Sequence, residues 1–121
     1  MFPCPCCGYL IFDEPPGSYD ICPICFWEDN IVQLRFPEMG GGPNKISLIE
    51  SQKNFAAMGA CEERLCKHTR RPRAGETRDP SWRPIDPQRD QFEAYPSDKS
   101  HFDLIVEGWR EDSARLYYWR R

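Results

Sequence analysis

The sequence predicts a small α+β fold: a knuckle hairpin packed on a short helical pair, with a loop-rich C-terminal half. Three observations predict it. Two Cys-x-x-Cys pairs stand within the first 30 residues. A capped amphipathic segment begins at Ser47. Finally, 12 prolines in a chain of 121 residues leave little room for long helices or wide sheets.

The length suits one domain, 1–121, read as a cysteine module (1–30), a helical segment (47–68) and a Pro/aromatic-rich segment (69–121). Only 40% of residues are hydrophobic, and 13% are aromatic, so bulky rings carry much of the core. A metal staple suits such a chain. No apolar run approaches the roughly 20 residues of a membrane span. Met1-Phe2-Pro3-Cys4 lacks the basic region and apolar stretch of a signal peptide, so a cytoplasmic location is expected. Seven cysteines are an odd number, which argues against a fully paired disulfide framework.

Cys4-Pro5-Cys6-Cys7-Gly8 and Cys22-Pro23-Ile24-Cys25 are two similar half-sites. A Cys-x-x-Cys turn delivers two thiolates from one bend, and two such turns complete a tetrahedron. Proline presets the bend, and glycine lets backbone amides point at sulfur without a Cβ clash. Spacing selects Cys4, Cys7, Cys22 and Cys25 as ligands of one structural zinc ion and leaves Cys6 out. The gap of 14 residues between the pairs is just under the usual range of roughly 15–20. Its flanks are β-formers around Pro15-Pro16-Gly17, which reads as a hairpin with both half-sites at its open end. Iron is the competing metal for this ligand set. A catalytic zinc is disfavoured, because four cysteines leave no open position for water.

Residues 31–46 read as loop. Ser47-Leu48-Ile49-Glu50 has capping-box spacing, with a helix over 48–58 ending at Gly59. A second short helix is expected over Ala60–His68. The segment 69–101 offers only turns, with Asp86-Pro87 able to open one short helix. Phe102–Val106 reads as a strand. The end, Leu116–Arg121, is too strongly aromatic to hang free.

Other signals have plainer readings. Cys6 is a spare half-buried thiol before it is a reactive one, and Cys61 and Cys66 are core cysteines before they are a second metal site with His68. Arg64–Arg73 holds a run of basic residues flanked by Glu62, Glu63 and Glu76, which reads as a solvated, ion-paired face. Gly40-Gly41-Gly42-Pro43-Asn44-Lys45 lacks the ending of a phosphate loop. His68 and His101 have no nucleophile at a motif spacing.

PCPCCGYLIFDEPPGSYDICPICFWEDN, GGGPNKISLIESQKNFAAMGA, RDPSWRPID and LYYWRR together resemble the cysteine-rich CPCC family of small bacterial proteins. The resemblance implies a zinc-ribbon-like or rubredoxin-like knuckle on Cys4, Cys7, Cys22 and Cys25, and no catalytic residues. It also implies a role as an immunity protein for a secreted toxin.

The net charge of −3 becomes about −5 once four thiolates hold one dication. That balance argues against general nucleic-acid binding and suits a basic protein partner. The expectation is a non-enzymatic, zinc-stabilised protein-binding module that neutralises a cognate toxin. Glu28, Asp29, Glu111 and Asp112 are candidate contacts, with Trp82, Tyr117 and Trp119. The alternatives are a zinc-ribbon nucleic-acid or translation-associated binder, and a rubredoxin-like redox protein.

Overall fold

The computed structural model describes residues 1–96 and 102–121; His101 lies outside them. Strand β1 (Phe2–Pro3) pairs antiparallel with β2 (Leu10–Phe12), and the first Cys-x-x-Cys turn lies between them. After the second turn come helix α1 (Ile31–Arg35), helix α2 (Leu48–Met58) and a 3₁₀ helix at Glu63–His68. Helix α3 (Phe102–Arg110) and two 3₁₀ turns at Ser113–Leu116 and Tyr118–Arg120 complete the chain.

The two half-sites do not share one hairpin. Each turn draws its own flanks together. Cys4 N–H bonds Tyr9 O at 2.9 Å, and Cys22 N–H bonds Trp27 O at 2.9 Å. Beyond the second turn, Ile21 bridges to Glu28 as the strands bridge beyond the first. The Pro-Gly tract is therefore a link between two small hairpins, not the tip of one.

Helix α2 has the expected bounds. Ser47 Oγ accepts from Glu50 N–H at 3.2 Å, and Gly59 ends the helix at φ 78° with its N–H on Phe55 O. Its inner face is partly polar: Leu48, Ser51 and Gln52 are buried. Helix α1 falls where loop was expected. Asn30 Oδ1 caps it by accepting from Gln33 N–H at 2.8 Å, and Ile31 and Leu34 are buried. The second helix of the pair is a short 3₁₀ helix, and Asp86-Pro87 opens only a turn, with Asp86 Oδ1 accepting from Gln88 N–H at 2.9 Å.

The strand expected at Phe102–Val106 is the start of helix α3. Its pattern is helical: Val106 is buried and Trp109 half-buried three residues on, while Glu107, Gly108 and Arg110 are exposed.

Gln33, fully buried, organises the glycine-rich loop. Its Nε2 donates to Met39 O, Asn44 O and Ile46 O at 3.0–3.2 Å. Its Oε1 accepts from Asn44 N–H at 2.9 Å and from the side-chain amides of Asn30 and Asn44. Gly42 lies close enough that a Cβ would stand 3.1 Å from Gln33 Cδ. The loop is wrapped around an amide. Asn44 in turn pairs with the Glu28 peptide through both ends of its side chain, at 2.8 Å each, which ties the loop to the second knuckle.

The C-terminal rings are core, as the sequence suggests. Tyr117 stacks on Trp119 at 4.6 Å, and Tyr118 meets Trp119 edge-on at 4.9 Å. Buried Asp79 holds them from the other side. Its Oδ2 accepts from Trp119 Nε1 at 3.0 Å and Arg120 Nη2 at 2.8 Å, while its Oδ1 takes both Ser81 N–H and Ser81 Oγ.

Candidate metal centre

The two turns repeat each other atom for atom along the backbone. In the first, Gly8 N–H bonds back to Cys4 O at 2.7 Å; in the second, Phe26 N–H bonds back to Cys22 O at 2.8 Å. The residue after each second cysteine adopts positive φ, +82° at Gly8 and +70° at Phe26. Glycine adopts this conformation freely, whereas a phenylalanine there is strained by about 1–2 kcal/mol. Phe26 is held by its ring, stacked on His68 with centroids 5.0 Å apart. Gly8 has a second constraint, since a Cβ there would lie 2.4 Å from the Trp82 ring.

These turns bring the thiol sulfurs of Cys4, Cys7, Cys22 and Cys25 within 4.8 Å of one another. All four residues are fully buried. Across the cluster, Cys4 Sγ and Cys25 Sγ are 3.6 Å apart, and Cys7 Sγ and Cys22 Sγ 3.7 Å. Metal–sulfur bonds of about 2.3 Å in a tetrahedron separate sulfurs by roughly 3.8 Å, so the donor set fits a tetrahedral metal ion. No disulfide joins any of the seven cysteines.

Electrostatics point the same way. Burial pushes the Cys4 and Cys25 thiols well above the ordinary value, while hydrogen bonds from Cys25, Cys4 and Cys7 pull Cys22 down. Four thiolates cannot share this dry site without a cation between them. A coordinated dication deprotonates its thiols outright.

The backbone around the sulfurs is fastened by residues far along the chain. Pro5 O accepts from Gln52 Nε2 at 2.9 Å and from Trp82 Nε1 at 3.1 Å. Cys7 O takes Arg78 Nε at 2.9 Å, Gly8 O takes Asp79 N–H at 2.9 Å, and Cys25 O takes Cys61 N–H at 2.8 Å. Such contacts hold each turn in shape around its sulfurs. Sequence reasoning names none of these partners, because hydrogen bonds between segments leave no mark in spacing.

The remaining candidates separate. Cys6 is buried beside Cys25, and its burial raises the thiol's pKa, which makes it a neutral core group. Cys61 is buried too and pushed up to about 12 by that burial. Cys66 is exposed, contrary to expectation, because the 3₁₀ helix buries none of its residues. The basic stretch is ion-paired at two of its five Lys/Arg residues, Arg64 and Arg70. Arg70 forks onto Glu76 at 2.7 and 2.8 Å, and Arg64 meets Glu62 at 2.9 Å.

Several expected surface contacts lie elsewhere. Asp29 is buried, its Oδ2 accepting from Gly17 N–H, Ser18 N–H and Ser18 Oγ. Tyr117 and Trp119 are buried, and Trp82 is half-buried over Gly8. Glu111 and Asp112 are exposed, and Glu28 is half-buried.

No curated protein matches the chain. The family model described as Cysteine-rich CPCC matches residues 2–76, and the chain belongs to that family.

Proposed function

We propose that this member of the cysteine-rich CPCC family is a protein-binding module, built on one structural zinc ion, that binds and neutralises a cognate bacterial toxin. The observation that carries the reading is the closure of the metal centre. Four buried thiols occupy every position of a tetrahedron, and the turns around them are fastened by Gln52, Trp82, Arg78 and Cys61. No position is left for water or substrate, so the ion stabilises the fold and activity belongs to the outer surface. The acidic balance, a net charge of −3 before metal, suits a basic partner. Toxins that act on nucleotides or nucleic acids often carry basic clefts, and an acidic inhibitor matches them.

The nucleic-acid reading is weakened by the ion pairs of the basic stretch, which engage Arg64 and Arg70 internally. The rubredoxin-like reading draws on one specific observation: the same sulfur spacing suits iron. Metal analysis separates the two, since a zinc protein is colourless and an iron-loaded one is red.

Co-expression with the product of the adjacent gene tests the proposed role. The expected outcome is rescue of growth and co-purification. The absence of both rescue and co-purification would sink it.

A further inference from the structure

The loop leading into the second knuckle is built at a visible energetic cost. Tyr19 has φ +63°, one of only two non-glycine residues with positive φ among the described residues. A bulky residue in that region is a true outlier. The backbone is held there by Asp29, a carboxylate that is 1% exposed. Asp29 takes Gly17 N–H, Ser18 N–H and Ser18 Oγ on its side chain, and its own O takes Tyr19 N–H. Its N–H donates to Asp20 O. The whole turn from 17 to 20 is clamped by one buried residue.

The result of this arrangement is apolar exposure. Tyr19 is 51% exposed and Ile21 45%, two of the four large exposed hydrophobic residues among those described. Ile21 also walls a depression of about 160 Å³ whose lining mixes Phe26 and Leu65 with Glu28, Glu62, Lys45 and Arg64. Asp13, Glu14 and Asp20 stand exposed on the same loop. Arg110 lies over the Tyr19 ring and donates to Tyr19 Oη at 3.2 Å, and it is also paired with Glu107.

We infer that the Tyr19–Ile21 edge, with its acidic rim of Asp13, Glu14 and Asp20, is the docking surface for a basic protein. This rests on the protein-binding reading above and gives it an address. An exposed tyrosine and an exposed isoleucine held on one fixed loop are the kind of side chains that binding hot spots draw on. Clamping the loop in advance removes the ordering cost that a mobile loop would add on binding. The carboxylates select a partner with lysines and arginines and speed the encounter.

The test uses the full-length, metal-loaded chain, with the purified product of the adjacent gene as the probe, in isothermal titration calorimetry. Tyr19→Asn removes the ring and keeps a residue that tolerates positive φ; Ile21→Ser removes the second contact. Each variant is expected to weaken binding about tenfold or more, with metal content and melting temperature as in the parent. Wild-type association is expected to slow as salt rises. Wild-type binding that both variants retain in full overturns the docking surface and leaves the functional reading standing. Loss of binding accompanied by loss of metal in both variants also overturns it, because the residues then act through the fold. Failure of the wild type itself to bind removes the functional reading and this inference with it.

Discussion

Gly8 and Phe26 occupy equivalent places in two copies of one turn, yet they answer to different constraints. Gly8 needs both its positive φ and the space taken by the Trp82 ring. Gly8→Ala is expected to destabilise the metal-loaded protein by about 3 kcal/mol, from backbone strain and overpacking together. Phe26→Gly relieves its strain but loses the His68 stack, so it is expected to stay within about 1 kcal/mol of the parent. Thermal unfolding of the two variants checks the contrast; equal losses would contradict it. The sequence marks Gly8 as special through the Cys-x-x-Cys-Gly pattern. Nothing local marks Phe26, because its conformation is held by His68, 42 positions away.

At the scale of elements, buried amides and carboxylates fasten the loops to the helices and to the C-terminal rings. Gln33 is bonded to Met39, Asn44 and Ile46, and it accepts from Asn30. Gln33→Leu is expected to cost about 3 kcal/mol or more in denaturant unfolding, since it leaves several buried polar groups unpaired. A loss under about 1 kcal/mol would contradict that role.

Asp79 makes a prediction in pH. Burial pushes its carboxyl up, but hydrogen bonds from Ser81, Trp119 and Arg120 outweigh this and hold it well below the usual range. Its folded pKa is thus below the unfolded value of about 3.9. The stability it contributes is full above that value and is lost as pH falls below it. The stability gap between the parent and Asp79→Asn should therefore shrink as pH drops through about 4. Parallel curves would refute it. Glu76, forked by Arg70, is held at about 2, and carbon NMR should find its titration midpoint there and not near 4.5.

Helix α2 was legible because Ser47 and Gly59 are local signals at its two ends. Helix α1 was also signposted, by Asn30, but five residues give too little periodicity to read. Helix α3 misleads because Phe102–Val106 looks like a strand until Trp109 is counted on the same face.

For the whole molecule, the four-cysteine cluster sits within a hydrophobic core that also holds Phe12, Ile24, Trp27, Ile31, Leu34 and Leu48. That Cys4, Cys7, Cys22 and Cys25 come together could be read from spacing alone, since a two-residue gap constrains sulfur positions directly. The surface could not, and the expected contacts at Asp29, Tyr117 and Trp119 are buried. Exposure is set by packing between distant segments, and composition says nothing of it. Metal binding of this kind contributes on the order of 10 kcal/mol, comparable with the roughly 5–15 kcal/mol of a whole domain. The most direct test is native mass spectrometry with thermal melting of the parent and Cys22→Ser. One zinc per parent chain is expected, with metal and cooperative melting both lost from the variant. A variant that keeps its metal and its melting temperature would contradict the assignment.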